Sequence, residues 1–92
     1  MSGRRYELVV SAPAARMIAE HLPEGVAIAV IDFITGPLLD NPARLGRPLR
    51  NELVGLHAAR RGTFRIVYRI DDERGEVEVR LVDHRRDVYR PR

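Results

Sequence analysis

The chain has 92 residues, no cysteine and a formal charge of +3, and all 16 of its basic residues are arginine. Such a length holds one domain, near the lower end of what sustains a single core unaided, and the lack of cysteine excludes disulfides and thiolate metal sites. Arginine forks bidentately onto phosphate but is a poor proton carrier, so any catalytic acid or base must come largely from other residues.

The start, MSGRRYELVV, carries too short an apolar run for a secretory signal, and no later run approaches a membrane span, which predicts a soluble cytoplasmic protein with no membrane partner. Tyr6–Val10 is β-branched and aromatic and reads as a strand. Ser11 stands where an N-cap belongs, with Pro13 in the turn behind it. Ala14, Ala15, Met17, Ile18 and Leu22 then recur at helical spacing and predict a helix from about Ala12 to His21. Leu22-Pro23 ends it and starts a second helix carrying Val26, Ile28, Ala29, Val30, Ile31, Phe33 and Ile34. That helix is apolar on most of its circumference, so it should form the buried layer, paired with the first as a helical hairpin. Gly36-Pro37 kinks or ends it, and Asn41-Pro42 opens a loop.

From Gly55 the period changes to two. Strands are predicted over Gly55–Arg61, Phe64–Asp71 and Glu76–Asp83, joined by turns too short for anything but antiparallel neighbours. Alternation puts Phe64, Ile66, Tyr68 and Ile70 on one face and Arg65, Val67 and Arg69 on the other; in the last strand Val77, Val79 and Leu81 oppose Glu78, Arg80 and Val82. The expected fold is α+β: an N-terminal strand, a helical hairpin, then a three-stranded antiparallel meander packed on the helices. Its open face should collect His57 and Arg61 from one strand and Arg65 from the next.

Charge is concentrated where that meander begins. Residues 44–69 hold seven arginines against Glu52 alone, a net +6 within a chain whose flanks are net acidic. A cation field on one segment usually meets a polyanion. Other chemistries lack their parts. The glycines are isolated, so there is no phosphate loop. His21, His57 and His84 are scattered without a metal-ligand spacing, and Ser2 and Ser11 have no neighbouring histidine and acid. No cofactor is expected. Metal-free cleavage of RNA by its own 2′-OH needs cations on the phosphorane, a base and an acid. Arginines on a rigid strand meet the first need, and His57, His84 and Tyr89 are the candidates for the others.

The run RLGRPLRNELVGLHAARRGTFRIVYRIDDE, followed by VRLVDHRRDVY at the end, resembles toxins of the RelE type within the RelE/ParE superfamily, and GPLLDNP extends the likeness into the front half. The resemblance implies a bacterial type II toxin that cuts mRNA in the A site of the 70S ribosome. It implies a RelB-like antitoxin, acidic and folding on binding, in a hetero-oligomeric complex. It makes Arg65 the phosphate-stabilising arginine of the central strand, Arg85 a second catalytic arginine, and Tyr89 the tyrosine that acts on or stacks with the cleaved nucleotide. His57 and Arg61 fall where relatives carry basic residues. Relatives bear lysines on that strand, whereas this chain has His57 and Ala59, so the base is left open.

Arg44, Arg47, Arg50 and Arg60, with His84, are the candidates for gripping RNA or the ribosome. Plainer readings stand beside these: Arg65 as the ion-pair partner of Glu78, Arg61 as a solvated turn residue, His57 as an exposed strand residue, and Tyr89 as an anchor for the tail. Two rival functions remain, a ParE-like inhibitor of DNA gyrase on the same fold and a non-catalytic RNA-binding relative.

Overall fold

The computed structural model describes residues 5–84. In chain order it comprises β1 (Glu7–Val10), α1 (Ala12–Arg16), a wider π-helical turn over Met17–His21, α2 (Glu24–Thr35), α3 (Pro37–Asp40), α4 (Pro42–Leu45), β2 (Arg47–Pro48), a 3-10 turn over Asn51–Leu53, β3 (Leu56–Arg61), β4 (Phe64–Asp71) and β5 (Glu76–His84). The strands form one sheet in the order β1-β5-β4-β3-β2. β1 runs parallel to β5, and every other pair is antiparallel. The predicted α+β fold, with a meander packed on a helical hairpin, is what the chain adopts.

Helices cover one face of the sheet. Ala14, Val30, Phe33, Ile34, Leu38 and Leu39 meet Ala59, Phe64, Ile66, Tyr68, Val77, Val79 and Val82 in a single core. Ser11 ties its two ends together. The Ala14 amide donates to its Oγ, which itself donates to the Arg80 carbonyl at 3.1 Å, while the Ser11 amide donates to Val79 O. One short side chain thus caps α1 and fastens it to β5. Arg5 closes the far end of α2 by donating to the carbonyls of Thr35 and Gly36, both at 3.0 Å, where the helix dipole favours a cation.

Four expectations are corrected. The loop predicted after Asn41-Pro42 instead contains α4 and the two-residue edge strand β2, because Pro42 pre-sets a helical φ and Arg47–Pro48 pairs with β3. α2 is not buried all round: Val30, Phe33 and Ile34 face the core, while Ile28 and Ile31 are 53% and 44% exposed. One layer of a two-layer fold can bury only one side of a helix.

The third correction concerns β5. Val67 pairs with Leu81 but Tyr68 pairs with Val79, so Arg80 is an extra, bulged residue. Beyond it the alternation inverts: Val82 is 1% exposed and Leu81 43% exposed, the reverse of strict period two. The fourth follows from register in β3. His57, Ala59 and Arg61 pair with Tyr68, Ile66 and Phe64, so they share the helix-covered face. Directly opposed residues lie on the same side of an antiparallel pair, so His57 and Arg61 do not join Arg65 on the open face.

Candidate nucleic-acid interface

The open face is laid out in rows across the strands. Arg60, Arg65 and Asp83 form one row, and Arg47, Ala58, Val67 and Leu81 form the next. α4 delivers Arg44 from the side. Arg44, Arg47, Arg60 and Arg65 line a concavity of about 500 Å³ together with Leu45, Gly46, Leu49 and Ala58. No carboxylate lines it among the described residues. Four guanidiniums around one depression present a dozen or more N–H donors to whatever anion enters.

Packing beneath the depression holds it in shape. Gly46 lies between α4 and β2 with an extended backbone, φ −134°. A Cβ there would come within 2.8 Å of the Ala58 carbonyl and would strike the Tyr68 hydroxyl, so glycine is needed for close approach rather than for its dihedral freedom. Tyr68 is completely buried, and its hydroxyl donates to the Pro42 carbonyl at 2.6 Å, fastening the first residue of α4 to the central strand. Burial pushes the Tyr68 phenol up to about 12, because the phenolate would lose its water.

Of the residues picked out from sequence, Arg44, Arg47, Arg60 and Arg65 are brought together. Arg50 is exposed at the entry to the 3-10 turn, outside the depression. His57 lies against Tyr68 with ring centroids 5.6 Å apart, near parallel, and its Nδ1 is buried without a hydrogen-bond partner. Arg61 sits on the helix side, its guanidinium carbon 4.6 Å from the Phe33 ring centre, at the rim of an apolar groove between α2 and the β3–β4 turn. His84 pairs with Phe64 on that same side, its Nε2 3.2 Å from the Thr63 hydroxyl. Arg85 and Tyr89 lie outside the described residues.

The partner of Arg65 is also not the one expected. Its Nη2 donates to Asp83 Oδ2 at 2.8 Å, with both side chains about half exposed. Glu78 instead opposes Arg69 and lies near Arg80. Sequence reasoning missed Asp83 because strict alternation from Val77 turns it toward the helices; only the bulge at Arg80 brings it round.

Comparison with known proteins identifies the family. Residues 13–89 match the family model described as ParE toxin of type II toxin-antitoxin system, parDE. The chain is 51% identical to Toxin RelE of Mycobacterium tuberculosis over 92% of its own length and 87% of that protein's. It belongs to the RelE/ParE family of type II toxins, as a RelE-type member. Toxin RelG of the same organism is 50% identical over 83% of this chain and 87% of its own. Among solved structures, the M. tuberculosis toxin-antitoxin complex RelBE2 superimposes with a TM-score of 0.86 at 44% identity, over 89% of this toxin and all of that chain. The isolated E. coli RelE toxin shares the fold, with a TM-score of 0.71 at 21% identity over 86% of this chain and 83% of that one.

Proposed function

We propose that this toxin is a ribosome-dependent, metal-independent mRNA endoribonuclease that arrests translation and is held in check by an acidic RelB-like antitoxin. The observation that carries the reading is the depression formed by Arg44, Arg47, Arg60 and Arg65 on the sheet face opposite the helix-packed core. Its size and charge suit a ribose-phosphate backbone, and its arginines come from rigid strands and one short helix rather than from a long loop.

The chemistry is in-line attack of a 2′-OH on the adjacent phosphate. The O2′–P bond forms, the P–O5′ bond breaks, and the products are a cyclic phosphate and a free 5′-OH. Arg65 stabilises the charge that builds on the phosphorane, and the other three arginines set the backbone in place. Arg85 acts as the second phosphate donor and Tyr89 serves the proton transfers or stacks on the nucleotide, as the resemblance implies. His57 takes no part as base in this reading, since its register sets it across the sheet from Arg65. The 70S ribosome supplies the mRNA already bent and positioned, and the acidic antitoxin covers the basic face by folding onto it in a hetero-oligomeric complex. The partnership is supported by the RelBE2 relative, whose solved structure is a toxin-antitoxin complex.

A second reading is the ParE-like one, inhibition of DNA gyrase, kept because the matched family model is described as a ParE toxin. Purified protein added to a reconstituted translation reaction, with mRNA ends mapped by primer extension, separates the two. Cuts that need ribosomes and vanish with Arg65→Ala support the endoribonuclease; loss of gyrase supercoiling without any mRNA cutting would favour the other.

A further inference from the structure

Resting on the reading of Arg65 as a phosphate donor, we infer that Asp83 is an internal anion that occupies Arg65 in the free toxin and restrains its binding to naked RNA. Two neighbours act on the Arg65 guanidinium from opposite sides. Arg60 faces it directly across β3–β4, a like-charge pair that repels. Asp83 faces it across β4–β5 and accepts its Nη2 hydrogen bond at 2.8 Å. Both effects draw the guanidinium toward β5, so that Arg65 lines the depression beside Arg44, Arg47 and Arg60 with one of its donors already given to Asp83.

The bulge at Arg80 is what makes this possible. With unbroken alternation Val82 would face solvent and Asp83 the helices; the extra residue inverts both, seating Val82 in the core and Asp83 beside Arg65. Bulges commonly re-aim a side chain next to a functional site. Here the side chain is a carboxylate aimed at the one arginine that the proposed chemistry most needs.

An exposed ion pair is weak, worth no more than a few-fold in an equilibrium constant. Asp83 therefore does not block Arg65; it is displaced wherever phosphates are dense and already held in place. A flexible single strand must instead break the pair for one additional contact. The restraint favours RNA presented by a scaffold over RNA free in solution.

The test is binding of a fluorescent 2′-O-methyl oligouridine, which cannot be cut, as a function of salt. Asp83→Asn keeps the shape but removes the charge. It should bind about two- to fivefold tighter at roughly 0.1 M salt, and the slope of log K against log salt should steepen by about 0.7, the increment for one more phosphate contact on a single strand. Asp83→Glu should stay at the wild-type value. In an Arg65→Ala background, Asp83→Asn should change neither quantity beyond the loss Arg65→Ala itself causes. Weaker or unchanged binding by Asp83→Asn, while Arg65→Ala still weakens it, would overturn the restraint alone. No effect of Arg65→Ala on RNA binding or on ribosome-dependent cutting would overturn the reading of the site and the restraint with it.

Discussion

Replacing Tyr68 with Phe isolates one buried hydroxyl that joins the central strand to the helix carrying Arg44. At neutral pH the substitution leaves the Pro42 carbonyl without its donor. An unsatisfied buried acceptor costs about 1–3 kcal/mol, against a total stability of roughly 5–15 kcal/mol for a small domain. With an m-value of about 2 kcal/mol/M in urea, the unfolding midpoint should fall by about 1 M. Alkali adds a second, independent signature. Below pH about 10 the phenol is protonated both folded and unfolded, and its contribution is complete. Above that, the unfolded chain releases its proton while the folded one, with its phenol pushed up to about 12, does not. Stability therefore drains away between pH about 10 and 12, by roughly 3 kcal/mol if the whole shift is realised. The chain has no lysine and no cysteine to titrate across this window. Tyr6, whose phenol is also held up by its hydrogen bond to Asp72, loses stability equally in both proteins and cancels from the difference. Urea unfolding followed by circular dichroism at pH of about 8, 10 and 11.5 measures it. The wild-type advantage over Tyr68→Phe should be largest at the two lower values and shrink at the highest. Two parallel curves would refute the argument that burial of this phenol sets its titration.

Three further outcomes follow from register and packing. Arg60→Ala should weaken RNA binding and lower the salt slope by about 0.7, whereas Arg61→Ala, whose side chain lies on Phe33, should leave binding near wild type and cost about 0.5–1 kcal/mol of stability; equal effects on binding would contradict the β3–β4 register. Val82→Ala should destabilise by about 1–3 kcal/mol and Leu81→Ala by less than about 0.5 kcal/mol in chemical denaturation, and the reverse order would remove the bulge. Gly46→Ala should cost about 1–3 kcal/mol through overpacking against Ala58 and Tyr68 and should weaken RNA binding as α4 and β2 shift; a variant as stable as the parent would mean the close approach is not tight.

Much of this toxin is legible in one dimension. The Ser11 cap, the helical spacing from Ala14 to Leu22 and the change to period two after Gly55 are local signals, set by which side chains lie three, four or two residues apart, and they place the elements within a residue or two. The net +6 of residues 44–69 is likewise a property of the string, and it locates the cationic segment without any fold. The family too is carried by the string, since residues 13–89 match it as written. What side each arginine takes is another matter. A strand's alternation says which residues share a face but not which face is covered, and one inserted residue exchanges the two. Pairing, not alternation within β3, decides the side that His57 and Arg61 take. The side of Asp83 is hidden from the alternation because the bulge at Arg80 lies between it and the residues that set the pattern. The depression itself is a non-local object: Arg44 and Arg65 are distant in the chain and meet only because Gly46 leaves room for Tyr68 and Ala58 beneath them. Composition and spacing determined that this protein would carry a cationic sheet; close packing and inter-strand register alone decided which four arginines converge and which carboxylate pairs with Arg65.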